Sequence, residues 1–161
     1  MKSLLLTIFG IYATFAGFSQ TSDAEAEAMV NLLGVQKKEA VSKLVSVSGK
    51  DSATFWKIYD EYQNENKAMA KQRIQLYEKT AYSYTNMTPA IADSLAQIYF
   101  SNRSTQEKSL ETYYKKIKTS TNPILAFEFY QAEVYLLTQL RAQIMQQIPT
   151  YGEFQQAIKK K

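Results

Sequence analysis

Carboxylates are the side chains best placed to act chemically in this chain, and their spacing argues against most of what they could do. Asp60 and Glu61 are adjacent. On a helix, neighbours point about 100 degrees apart, so the two do not form one acid/base site. Glu107 and Glu111 lie four residues apart and share a helical face, but Lys108 and Lys115 accompany them. That pattern is a solvated charged face. The chain has no His, which removes the commonest general base and the commonest transition-metal ligand. It has no Cys, so disulfides, thiol chemistry and thiolate metal sites are excluded. A nucleophile would have to be Ser or Thr with a Lys or carboxylate base. No Gly-x-Ser-x-Gly turn and no phosphate-binding glycine loop is present. A di-iron bundle needs Glu-x-x-His on two helices, and no His is there to supply it. The sequence therefore predicts no catalytic residues, no metal, no cofactor and no enzyme.

The elements that carry these residues are long helices. Five Gly and three Pro in 161 residues leave few turns, and few turns favour long helices over a many-stranded sheet. The organising stretch runs from Asn122 to Pro149. Asn122 caps it, Pro123 fits the first helical position, and Pro149 ends it near Ile148. Phe127, Tyr130, Val134, Leu137, Arg141, Ile144 and Ile148 recur at gaps of three and four and are expected on one buried face. Phe129, Leu136, Leu140 and Met145 widen the apolar surface, so more than one partner helix must cover it. Arg141 is the exception in the stripe. It either meets a carboxylate from a neighbouring helix or serves as a polar anchor in a binding groove.

Met1 to about Ser19 reads as a signal peptide: Lys2, then an apolar run from Leu4 to Phe18, then small residues at Gly17 and Ser19. The run is shorter than the roughly 20 apolar residues of a spanning helix, so cleavage is expected in place of stable membrane insertion. A secretory segment on a cysteine-free chain points to a bacterial periplasm. Residues 20–28 are a flexible lead-in. Residues 29–149 are one helical domain, and 150–161 are a short, weakly docked tail carrying Tyr151, Phe154 and Ile158.

Within the domain, helix one is expected from about Met29 to Ser46, with Val30, Leu33, Val41, Leu44 and Val45 apolar. Helix two starts at Asp51 or Ser52 and reaches about Thr85, on the order of 50 Å long. Phe55, Tyr59, Tyr62, Asn66, Met69, Arg73, Leu76 and Thr80 form its seam, with Asn66 and Arg73 as polar layers that set register. Thr88 and Pro89 open helix three, which runs to about Lys118. Its middle, Ser101 to Ser109, is polar and reads as solvated or thinly packed. Lys115, Lys116 and Lys118 suit the negative end of its dipole. The fold class is all-α, a long antiparallel hairpin or four-helix bundle.

The formal charge of +4 comes from 19 basic against 15 acidic residues and is too weak to argue for nucleic acid. Twelve Tyr and eight Phe are the more unusual feature. They serve either as packing or as a Tyr-lined, Lys-rimmed surface that holds flexible polypeptide without tight specificity. On the second reading Tyr59, Tyr62, Tyr113, Tyr114 and Arg141 are the candidate polypeptide-binding residues. The long apolar stripes also suggest a homodimer.

Phe55-Trp56-Lys57-Ile58-Tyr59-Asp60-Glu61-Tyr62, Met87-Thr88-Pro89, and Phe129-Tyr130-Gln131-Ala132-Glu133 leading to Arg141 and Ile148-Pro149 carry a resemblance. Over Gln36 to Pro149 the chain resembles small periplasmic helical proteins of the Spy/CpxP type, in a branch found in Bacteroidetes. That group is named for a Leu-Thr-x-x-Gln motif. Here Ile91 and Arg141 stand where the motif has Gln. The resemblance implies a refolding chaperone or envelope-stress role that binds unfolded or partner polypeptide. A structural adaptor for one folded envelope partner is the alternative. The family's metal-sensing branch uses His ligands, which are missing here.

Overall fold

The computed structural model describes residues 23–160, which are helical throughout apart from short turns. Among them there is no strand. The helices are α1 (Asp23–Leu44), α2 (Ser52–Ser83), α3 (Pro89–Ser120), α4 (Pro123–Gln147) and a short α5 (Tyr151–Lys159). Single 3-10 turns at Gly49–Asp51 and Tyr84–Asn86 flank α2. The expected signal peptide lies outside the described residues. Helix α1 starts six residues earlier than expected, because Ala26 is buried and continues the inward row of Val30.

The expected caps form. The Asn122 side chain accepts the Leu125 N–H at 3.0 Å, and Thr88 accepts that of Ile91 at 3.2 Å. In each case Pro follows at the first helical position, where its missing N–H costs nothing. The tail is a capped helix. Thr150 Oγ1 accepts the Glu153 N–H while Glu153 accepts the Thr150 N–H, two reciprocal bonds at one helix start.

Contacts run α1 to α2, α2 to α3, α3 to α4, and α4 back to α1, which closes a four-helix ring. Short turns make neighbours antiparallel. Asn66 bonds Ser109, Arg73 bonds Gln106 and Thr80 bonds Tyr99, so numbers rise on α2 as they fall on α3.

The core is denser at one end. Val41, Val45, Phe55, Ile58, Tyr59, Tyr62, Leu110, Tyr113, Ile117, Leu125, Ala126, Phe129 and Ala132 form one cluster there. Phe129 meets the Tyr59 and Tyr62 rings edge-on at centroid distances of 6.2 and 5.3 Å, a favoured aromatic geometry. Toward the other end the layers turn polar. The middle of α3 is not simply solvated: Gln106 is buried and accepts a 2.8 Å bond from Arg73.

Three expected core assignments on α4 and α1 fail. Phe127 and Tyr130 face outward, while Leu125, Ala126, Phe129, Ala132 and Glu133 face in. Leu44 is also exposed, and Val45 takes the inward place beside Val41. Both faces of α4 are apolar near its start, so spacing alone admits either rotation. The aromatic wall of α2 and the partners of Glu133 select this one.

Candidate functional site

Glu133 is fully buried near the middle of α4. A buried carboxylate is costly unless charged or polar partners surround it. Here three do. Tyr62 donates to Oε2 at 2.7 Å and Tyr59 donates to Oε1 at 3.1 Å. Lys37 of α1 places Nζ 2.6 Å from Oε2 and 5.0 Å above the Tyr62 ring. One carboxylate thereby links α1, α2 and α4. Tyr59 and Tyr62 share a face of α2 because they are three residues apart. Burial, and next the Glu133 charge, push both phenols well above their ordinary value. Both stay protonated and keep donating. The carboxylate itself is fully buried and its oxygens are taken by these three donors, while Lys37 keeps its side chain 22% exposed. Its chemistry is to hold three helices in register. The sequence signal was a glutamate flanked by apolar residues within a stripe, read there only as part of a family likeness.

The outward face of α4 is the opposite case. The charged residues of α4 are Glu128, Glu133 and Arg141. None is exposed: Glu128 accepts the Ser46 N–H at 2.7 Å, and Arg141 is half-buried. Every exposed position of the helix is uncharged. Ile124, Phe127, Tyr135 and Met145 are 72%, 51%, 41% and 56% exposed there. These side chains leave an apolar, uncharged strip along the outward side of α4.

A third feature is an open groove of about 580 Å³ between the α2–α3 turn and α5. Tyr84, Tyr151 and Phe154 cluster at its base, and the Tyr84 hydroxyl donates to the Pro149 carbonyl at 2.9 Å. This contact docks the tail helix.

The predicted binding residues separate. Tyr59, Tyr62 and Tyr113 are buried and Tyr114 packs against the core. They belong to the interior and do not form a Tyr-lined surface. Edge-on ring contacts and the Glu133 carboxylate hold the first two inward. Tyr113 packs edge-on against Tyr62 at 5.2 Å, with Lys116 over its ring. Burial, with a bond to Glu65, raises the Tyr113 phenol. Arg141 lies beside Arg73 and lines a cavity of about 10 Å³ with Tyr77, Gln106, Leu137, Leu140 and Ile144. That volume holds no more than a single water, so Arg141 is no anchor for a peptide at this place.

Among the described residues no helix is long and apolar enough to cross a membrane. No family model matches the chain, and no curated protein or solved structure matches it either.

Proposed function

We propose that this chain is a non-enzymatic, chaperone-like or envelope-stress protein of the periplasm that binds unfolded or partner polypeptide. The observation that carries the reading is the uncharged, apolar outward face of α4. Ile124, Phe127, Tyr130 and Tyr135 offer aliphatic and aromatic area along it. Tyr hydroxyls and amides such as Gln131 tolerate water when the surface is empty. Such a surface accepts apolar segments without demanding one sequence. The apolar leader-like stretch at Met1 to Ser19 and the Spy/CpxP likeness of Gln36 to Pro149 support a place in the envelope.

The test is suppression of light scattering by chemically unfolded clients, without nucleotide. The chain at equal ratio is expected to suppress aggregation of several unrelated clients, and Phe127→Glu to lose most of that effect while keeping its helical circular dichroism. Failure against every client would end the proposal. Crosslinked capture of one stoichiometric folded partner would favour the adaptor reading instead.

A further inference from the structure

We propose that the cavity between Arg73 of α2 and Arg141 of α4 is a binding site for one small monovalent anion, a halide such as chloride. The site lies away from the outward face of α4 and does not depend on the polypeptide reading. Both arginines line the cavity, together with Tyr77, Gln106 and three aliphatic side chains of α4. Helices α2, α3 and α4 thus all contribute to it. A guanidinium brings five N–H donors and no acceptor, and it stays charged at any ordinary pH. Arg73 donates to the buried Gln106 amide at 2.8 Å, and that acceptor is neutral. Among the described residues neither arginine forms an ion pair with a carboxylate. Glu133, the buried acid of α4, lies about two turns before Arg141 and is taken by Lys37, Tyr59 and Tyr62. Gln106 still has its amide N–H groups to offer, and Tyr77 brings a hydroxyl. Asn102 Oδ1, a buried acceptor without a partner, sits one turn away on α3 and does not line the cavity. The lining is therefore rich in donors and positive charge and holds no anionic group. Two like charges in a half-buried layer repel. Burial, and with it the Arg141 charge, draws the Arg73 guanidinium below its ordinary value. An anion between the two accepts from both and turns that repulsion into attraction. Size then selects the ligand. The cavity is about 10 Å³, room for one particle near the size of a water. A monatomic halide is of that order, whereas phosphate and sulfate are several times too large. Arg141 is half-buried, so an ion reaches the cavity past its side chain.

The test uses the full chain in sodium gluconate, with chloride exchanged in at constant ionic strength so that screening stays fixed. The thermal midpoint is expected to rise by about 2–4 °C between zero and about 0.2 M chloride, as for a ligand that binds only the folded state. Arg141→Gln is expected to abolish that rise, and Lys116→Gln, at the surface, to keep it. Chloride NMR line broadening reports the ion directly, and most of the excess broadening is expected to vanish in Arg141→Gln. Inorganic phosphate at the same ionic strength is expected to give no rise that Arg141→Gln removes. A midpoint indifferent to chloride overturns the proposal. So does a chloride response or line broadening that Arg141→Gln leaves intact, and so does a phosphate response equal to that of chloride. Bromide-soaked crystals give a readout that needs no variant. Anomalous density is expected between Arg73 and Arg141, and its absence there overturns the site. Density at that place with no response in solution marks an adventitious ion only, and overturns it as well.

Discussion

Helices α3 and α4 pack side by side and handle charge in opposite ways. Helix α3 turns Asp93, Arg103, Glu107, Lys108, Glu111, Lys115, Lys116 and Lys118 toward water and buries Leu95, Leu110, Tyr113 and Ile117. That is the ordinary amphipathic rule. Helix α4 buries Glu133, keeps Glu128 and Arg141 half-buried, and fully exposes only uncharged side chains. On α4 both carboxylates accept bonds inside the fold, and Arg141 is half-buried beside Arg73.

The sharpest way to break this contrast uses two phenylalanines two residues apart. Phe129 is fully buried and Phe127 is half exposed. Phe129→Ala should cost about 3–5 kcal/mol, from lost transfer energy and a residual cavity. Phe127→Ala should change stability by no more than about 0.5 kcal/mol. Urea unfolding midpoints measure both, and equal losses would mean that α4 is rotated from the position described. Glu133→Ala comes next, at about 3 kcal/mol, because it leaves two tyrosine hydroxyls and Lys37 without their acceptor. Glu107→Ala, on the exposed face of α3, should stay within about 0.5 kcal/mol.

Alkali sharpens the contrast further. Tyr59 and Tyr62 have their phenols raised in the fold by burial and by Glu133. Above the ordinary tyrosine value of about 10, the unfolded chain loses these protons and the folded one keeps them. The folded state then binds more protons, so stability falls as pH rises. The contribution is complete below about pH 10 and declines by about 1.4 kcal/mol per tyrosine for each pH unit above it. Tyrosinate absorbance should show these two phenols ionising only with unfolding. Early ionisation, with helical signal intact, would place them in contact with solvent.

Much of the scaffold is readable without coordinates. Thr88-Pro89 and Asn122-Pro123 mark two helix starts because cap and proline act locally. The α2 seam from Phe55 to Thr80 is also readable, since its polar members Asn66 and Arg73 find partners on α3. The rotation of α4 is not readable by period. Its first half offers one row through Phe127 and Tyr130 and another through Leu125, Phe129 and Ala132. What decides is Glu133, and its burial depends on Tyr59, Tyr62 and Lys37 from two other helices. Aromatic abundance likewise does not say which side of a helix is wet, so three core tyrosines read as a binding surface. The Thr150-x-x-Glu153 spacing is a capping box, and it starts a helix where composition alone suggests a loose tail.

The smallest effect concerns two lysine–glutamate pairs. Lys37 meets Glu133 with the carboxylate fully buried, whereas Lys116 of α3 meets Glu61 of α2 at the surface. Lys37→Gln removes a charged donor from a sealed acceptor and should cost about 1–2 kcal/mol. Lys116→Gln should leave the thermal midpoint in place, although Lys116 holds the Glu61 carboxyl below its ordinary value through their hydrogen bond. Solvent screens that pair, and ordering two long side chains offsets its attraction. The local shift still has a sign: any contribution from Glu61 is present above the ordinary glutamate range and lost as pH falls through the folded value. Added salt discriminates further. It should erase whatever Lys116 contributes and leave the Lys37 difference nearly intact, because screening reaches exposed charges far more than buried ones. Thermal melts of both variants at low and high ionic strength measure this. Equal salt sensitivity of the two would show that the Glu133 cluster is as wet as the surface.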